Sequence, residues 1–151
     1  MGTEIERKFL VSGDEWRLSV EASREIRQGY LSRDPKRTVR VRRSGDEAFL
    51  TVKFGESPLG RLEFEYPIPN DDADCMLEAL CLGTVVNKTR HLVRAADGHV
   101  WEIDEFRSPM PGLILAEVEL VHRDEAFWRP AWARQEVTED PRYMNSNIAG
   151  A

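Results

Sequence analysis

The chain has 151 residues, of which 41% are hydrophobic and 32% charged, and a formal net charge of −6. That length can bury a core without disulfide or metal staples, so a single domain over residues 1–151 is expected. The acidic balance speaks against a surface that coats nucleic acid, which needs a basic face, and no apolar run approaches the roughly 20 residues of a membrane span.

The start, MGTEIERKFLV, lacks the basic flank and small-residue cleavage site of a secretory signal, so cytoplasmic residence is expected. The first strand is predicted over Thr3–Val11, with Ile5, Phe9 and Val11 on one parity and Glu4, Glu6 and Lys8 on the other. A short helical stretch follows from about Gly13 to Val20. Four strands come next, Glu25–Ser32, Arg37–Arg43, Glu47–Phe54 and Gly60–Ile68, broken by the turn chemistry of Asp34-Pro35, Ser44-Gly45 and Gly55 to Pro58. Residues 71–82, DDADCMLEALCL, open on acids, carry apolar residues at helical spacing and end before Gly83, which predicts a helix. It holds Cys75 and Cys81, whose spacing suits neither a metal knuckle nor a disulfide framework; reduced packing residues are expected. Three more strands, Val85–Ala95, His99–Phe106 and Leu113–Val121, are separated by Asp97-Gly98 and by Ser108–Gly112. Helices are predicted over Asp124–Ala133, despite Pro130, and over Pro141–Ala149. Trp128 and Trp132, at i and i+4, would dock the first of these on the sheet.

In a strand, residues i and i+2 share a face. Here that spacing pairs charges repeatedly: Glu4 with Glu6 and Lys8, Arg40 with Arg42, Glu63 with Glu65, Lys88 with Arg90, Glu102 with Asp104, and Glu117 with Glu119, while Lys53 joins singly. The opposite parity is largely apolar, as in Val39 and Val41 or Trp101 and Ile103. One such strand is an ordinary solvated face. A series in which acid pairs and base pairs alternate strand by strand suggests a closed barrel with the charged parity inward and the apolar parity covered by helices. Lys8, Arg40, Arg42, Lys53, Lys88 and Arg90 exceed the needs of one carboxylate ligand and suit linked phosphates. Glu4, Glu6, Glu117 and Glu119 offer hard oxygen ligands for Mg²⁺ or Mn²⁺.

Glu4-Ile5-Glu6-Arg7-Lys8 resembles the ExExK signature of the CYTH superfamily, the triphosphate tunnel metalloenzymes. Gln28-Gly29-Tyr30-Leu31, Arg40-Val41-Arg42, Thr51-Val52-Lys53, Glu63-Phe64-Glu65, Lys88-Thr89-Arg90, Glu102-Ile103-Asp104 and Glu117-Val118-Glu119 follow in order. The length is most similar to the compact bacterial members. The resemblance implies a mostly β (α+β) fold, a closed eight-stranded antiparallel tunnel with a few peripheral helices, that binds triphosphate and divalent metal. It implies hydrolysis of inorganic tripolyphosphate to pyrophosphate and phosphate. Metal ligation falls to Glu4, Glu6, Glu117 and Glu119, while Glu63, Glu65 and Asp104 ligate a second metal directly, bind it through water, or orient the bases. Lys8 and Tyr30 are expected on facing inward positions and join Glu4 and Glu6 as catalytic candidates; Lys8 could act as a base only where neighbouring cations lower its pKa.

Two rivals are also enzymes, cyclising ATP in the manner of class IV adenylyl cyclases or hydrolysing thiamine triphosphate. A third is a polyphosphate or nucleotide sensor that binds without turnover. The expected partner is a small triphosphate, with neither nucleic acid nor membrane, and a homodimer stays open. His91, His99 and His122 are dispersed and read as surface or packing residues.

Overall fold

The computed structural model describes residues 2–150. Ten strands are found there: β1 (Gly2–Glu4), β2 (Glu6–Val11), β3 (Val20–Asp34), β4 (Arg37–Ser44), β5 (Glu47–Phe54), β6 (Arg61–Pro67), β7 (Leu82–Arg94), β8 (Val100–Ser108), β9 (Ile114–Glu119) and β10 (Ala133–Glu136). They form one antiparallel sheet in the order β1-β6-β5-β4-β3-β7-β8-β9-β2-β10. Two helices, α1 (Asn70–Ala79) and α2 (Asn145–Ile148), and two 3-10 turns, Glu15–Ser19 and Pro141–Tyr143, complete the chain.

The expected closed ring of eight strands is corrected on both counts. The ladder is an open series, and its first strand is split at Ile5. β1 runs beside β6 (Thr3 opposite Leu62), whereas β2 runs beside β9 (Lys8 opposite Glu117). The backbone therefore passes between the two sides of the sheet at Ile5, whose carbonyl accepts from Leu120 N–H while the next N–H, of Glu6, donates to Pro58. Sheets twist and stagger as they wrap, so one straight strand cannot keep register with both neighbours; the break at Ile5 absorbs the mismatch.

The predicted helix over Asp124–Ala133 does not form. Pro130 cannot donate a helical N–H. Asp97 captures the Trp128 N–H, a donor the helix would need, at 2.6 Å, and Glu125 turns back onto the Val121 N–H upstream of the segment at 2.6 Å. The segment instead leads into β10 against β2. Trp132 still packs edge-on against Trp101 at 5.3 Å, but Trp128 is exposed. Pro141–Ala149 divides into the second 3-10 turn and α2, and α1 ends before Cys81, which packs beneath Gly29; Cys75 is exposed.

The apolar parity faces outward, as expected, and is covered in two places. Trp16, Phe127 and Trp132 pack over Phe9, Trp101, Ile103 and Val118; Ala73 and Leu77 of α1 pack over Val41 and Ala48. Cover stops there: Phe54, Leu62 and Tyr66 on β5 and β6 remain exposed.

Inside, the charged parity turns apolar at one end. Two residues on from Lys8, Gln28 and Asp104 stand Leu10, Tyr30 and Phe106, and two residues before Lys88 and Glu117 stand Val86 and Leu115. These join Ile148 and Ala149 in one cluster that floors the interior. Gly83 makes the docking possible. It adopts φ +70°, and a Cβ there would come within 2.3 Å of the Ala149 carbonyl, which accepts from Thr84 N–H.

Candidate active site

Above that floor lies a cavity of about 250 Å³ whose walls are mostly ionic. The i, i+2 alternation supplies them: each strand turns its charged residues inward, and the register brings them to one level. Glu4, Glu6 and Lys8 line it from β1 and β2, Tyr30 from β3, Arg40 and Arg42 from β4, and Lys53 from β5. Glu63 and Glu65 of β6, Arg90 of β7, and Glu117 and Glu119 of β9 complete the expected set. Lys88 and Asp104 are brought together but sit behind the lining, at 0% and 1% exposure.

On one wall, Lys53 Nζ lies 2.7 Å from Glu4 and 3.6 Å from Glu63, and Arg61 donates to Glu4 at 2.8 Å. On the adjacent wall, Arg40 donates to Thr51 at 3.3 Å, and Thr51 donates to Glu65 at 2.9 Å. Opposite them, Asp104 accepts from Lys88 at 2.7 Å and from Arg90 at 2.8 and 2.9 Å, and Arg90 also reaches Glu102 at 2.8 Å. Both oxygens of Asp104 are thus held by bases.

Lys8 donates to the Tyr143 carbonyl at 2.8 Å and lies 3.5 Å from Glu117. Its ionic partner among the described residues is that carboxylate. No hydrogen bond joins Lys8 to Tyr30 among the described residues; Tyr30 is buried in the floor cluster with its ring at the cavity's edge.

The carboxylates divide into two electrostatic classes. Burial pushes Glu4 and Glu117 up, but Lys53 and Arg61 hold the first, and Lys8 and Arg90 the second, down at about 2. Burial pushes Glu6 up to about 8, and the charges of Glu117 and Glu4 add to it. Glu119 and Glu63 are also raised, each by burial first and then by nearby acid groups. Among the bases, burial and then Arg40 and Arg90 bring Arg42 down to about 9. Burial brings Lys88 down to about 7 against the pull of Asp104.

This donor set fits a hard divalent cation. Several carboxylates stand in mutual repulsion, which a bound cation relieves, and no thiol or imidazole shares the cavity. Among the described residues, however, no three His, Cys, Asp or Glu side chains form a ready-made ligand cluster, since Glu4 is turned onto Lys53 and Arg61. The cavity also fits an anion. Nε of Arg40 and Nε of Arg61 are buried with no hydrogen-bond partner among the described residues, an arrangement costly unless a ligand oxygen completes it.

Three contributors, Arg61, Tyr143 and Asn145, were assigned no role from the sequence, and a fourth, Gln28, entered only as part of a quoted motif. Arg61 stands two residues before Glu63, so the same alternation would have found it. Gln28, Tyr143 and Asn145 act through an amide or a backbone carbonyl, and carry no charge pattern by which to be noticed. A second hollow of about 290 Å³ adjoins the cavity, sharing Arg42, Glu65, Arg90 and Glu102 and adding the apolar Ile26, Phe49 and Leu92.

The model of the CYTH domain family matches residues 2–148. An inorganic triphosphatase of Acetivibrio thermocellus is 45% identical over 148 residues, covering 98% of this chain and 94% of the relative. One of Nitrosomonas europaea is 40% identical over 152 residues, covering 97% of each. A crystal structure of an inorganic triphosphatase superposes with a TM-score of 0.71 at 36% identity, covering 100% of this chain and 97% of the other. A Hippeastrum protein described as a putative adenylyl cyclase with dominant triphosphatase activity shares the fold at a TM-score of 0.62 and 15% identity, covering 79% of this chain and 80% of the other.

Proposed function

The chain belongs to the CYTH domain family, and we propose that it hydrolyses inorganic tripolyphosphate to pyrophosphate and phosphate with the help of Mg²⁺ or Mn²⁺. The observation that carries this reading is the composition of the cavity: guanidinium and ammonium groups on several strands face stacked carboxylates across a space of about 250 Å³. That volume falls below the roughly 300–1,000 Å³ of pockets for drug-sized ligands and favours a compact inorganic substrate.

Arg40, Arg42, Lys53, Arg61 and Arg90 bind the phosphate oxygens, the guanidinium forks fixing their orientation. Lys8 holds a terminal phosphate from the side of Glu117. Lys88 and Asp104 act from behind the wall by fixing Arg90. Glu4, Glu6, Glu117 and Glu119 would hold the divalent ion, and Glu63 and Glu65 would steady Lys53 and Arg40. Once bound, that ion supplies neutralisation of phosphoryl charge and a more acidic water. The protein's own part is positioning: with the phosphate chain held straight, water adds to a terminal phosphorus in line with the breaking P–O–P bond. The floor of Tyr30, Val86, Phe106 and Leu115 closes that end of the cavity to bulk water. Free thiols at Cys75 and Cys81 are in keeping with action in the cytoplasm.

The second hollow supports one other reading, an organic triphosphate whose non-phosphate group rests on Ile26, Phe49 and Leu92. Product analysis with tripolyphosphate, ATP, thiamine triphosphate and pyrophosphate, with and without EDTA, separates the possibilities. Phosphate and pyrophosphate in equal amounts from tripolyphosphate, abolished by EDTA, are expected. Turnover of ATP or thiamine triphosphate in preference would transfer the assignment to the organic substrate, and binding without turnover would make the protein a sensor.

A further inference from the structure

Resting on the triphosphate reading above, we propose that Gln28 is a positioning residue for Arg42, anchored by Asn145 of the C-terminal segment, and that its neutrality keeps the Arg42 charge available to phosphate. The case begins with the partners of each cavity cation. Lys8 pairs with Glu117, Arg40 with Glu65, Lys53 with Glu4, Arg61 with Glu4, and Arg90 with Asp104. Arg42 lines the same cavity and, among the described residues, pairs with no carboxylate.

An unrestrained guanidinium on a long side chain would sample many rotamers, and ordering it on binding is costly. Arg42 is restrained by an amide instead of an acid. Its Nε and Nη2 both donate to Gln28 Oε1, at 3.0 and 2.8 Å. Gln28 is 0% exposed, and its Nε2 donates to Asn145 Oδ1 at 3.0 Å. The same Asn145 oxygen accepts from Lys88 at 3.1 Å. The cations at either end fix both amides, since only a carbonyl oxygen can face a guanidinium or an ammonium; Gln28 Nε2 is then left to join the two. The result is a bridge of two uncharged groups running from Arg42 to the segment that closes the floor.

A carboxylate of the same shape in place of the Gln28 amide would hold Arg42 equally still, but would compete with phosphate for it. It would also lose the donor to Asn145. Steady-state kinetics and calorimetric binding of tripolyphosphate to the full chain, loaded with its divalent ion, test this through Gln28→Glu, with thermal unfolding as the check on folding. The expected outcome is a KM at least about tenfold higher with kcat changed less than about threefold, the pattern of lost binding rather than lost chemistry. Relative to wild type at each pH, the KM penalty should shrink as the solution is acidified, because a protonated carboxyl is again a neutral acceptor. Asn145→Ala, which leaves Gln28 unanchored, should raise KM by a smaller factor.

A folded Gln28→Glu protein with wild-type KM, or with a penalty that is mainly in kcat and independent of pH, overturns the proposal. If burial of the new carboxyl prevents folding, Asn145→Asp carries the same test from a half-buried position: its charge would draw Lys88 and remove the neutral link, and an unchanged KM there also overturns the proposal. A wild-type protein that neither binds nor hydrolyses tripolyphosphate would overturn the triphosphate reading itself. Active wild type with insensitive variants would overturn only the bridge.

Discussion

Two regions of the sheet carry the same alternation of charge and put it to opposite uses. Between β7 and β8 the register sets Arg90 opposite Asp104, with Lys88 beside them, so that one buried carboxylate serves two cations. Between β2 and β9 it sets Glu6 opposite Glu119, and between β8 and β9 Glu102 opposite Glu117, so that acid faces acid. In the first region burial opposes the charges and loses: Asp104 is held far below the usual carboxylate range by Arg90 and Lys88, and Arg90 is raised by Asp104 and Glu102. In the second the outcome is split: burial and then the charges of Glu117 and Glu4 push Glu6 up to about 8, whereas Lys8 and Arg90 hold Glu117 down at about 2 against its burial. With Glu6 raised to about 8, the Glu6–Glu119 pair is relieved near neutral pH by a bound proton, the place a cation could take, while Lys8 opposite Glu117 balances the next step of the same wall. The comparison teaches that charge alternation marks an interior face, whereas register decides whether that face is completed by its own partners or by something bound.

If that division is right, the largest effect on folding comes from the self-sufficient region. Asp104→Asn keeps the shape but leaves Lys88 and Arg90 buried without their anion, which should reduce the unfolding free energy by about 3–5 kcal/mol in urea titrations. A variant of undiminished stability would show that the buried ions are balanced elsewhere. Glu119→Gln should do the reverse. Removing one of two facing acids is expected to leave stability unchanged or raise it by up to about 1 kcal/mol. Hydrolysis should nevertheless fall about 100-fold, equivalent to about 2.7 kcal/mol of activation free energy, with a higher divalent-ion requirement. Full activity at wild-type metal dependence would remove Glu119 from the proposed ligand set.

Much of this contrast was out of reach of the sequence, for physical reasons. The inward parity was legible because pairs such as Arg40 with Arg42 and Glu117 with Glu119 repeat on strand after strand, and β5 came out with the expected bounds, Glu47–Phe54. Register was not legible. Which residue of β9 faces Glu6 depends on stagger across the whole sheet, and stagger also split the first strand at Ile5 and left the ladder open. The helix expected at Asp124–Ala133 failed for a related reason: Asp97, which takes the Trp128 N–H, stands 31 residues away and reaches it only through the fold. The floor was written in the chain as Leu10, Val86, Phe106 and Leu115, each at i±2 from a charged residue, and Tyr30, two residues on from Gln28. Only the docking of Ile148 and Ala149 gives those residues a common purpose.

The smallest expected effect sharpens the comparison by moving a self-completed ion cluster to the outer surface. His99 Nδ1 lies 2.8 Å from Asp97 and its Nε2 2.5 Å from Glu125, and the two acids in turn fix the backbone at Trp128 and Val121. The imidazole faces Phe127, which lies over Phe9 and Trp101, so the cluster fastens the cover of the outer core. Its pKa is raised, first by Glu125 and then by Asp97. A raised folded-state value means that the folded protein binds this proton more tightly than the unfolded chain does. The stabilisation is therefore complete below the unfolded value near 6.5 and is lost as pH rises through the higher folded value. Wild type should exceed His99→Gln in unfolding free energy by less than about 1 kcal/mol at about pH 6, given the partial exposure of the cluster. The gap should close toward about pH 9, with tripolyphosphate hydrolysis unaffected at either pH. A gap that widened with pH would mean that the neutral imidazole, and not its charge, holds the cover in place. A loss of hydrolysis would mean that the outer face reaches the ionic wall behind it, and that the two sides of the sheet are less independent than their register suggests.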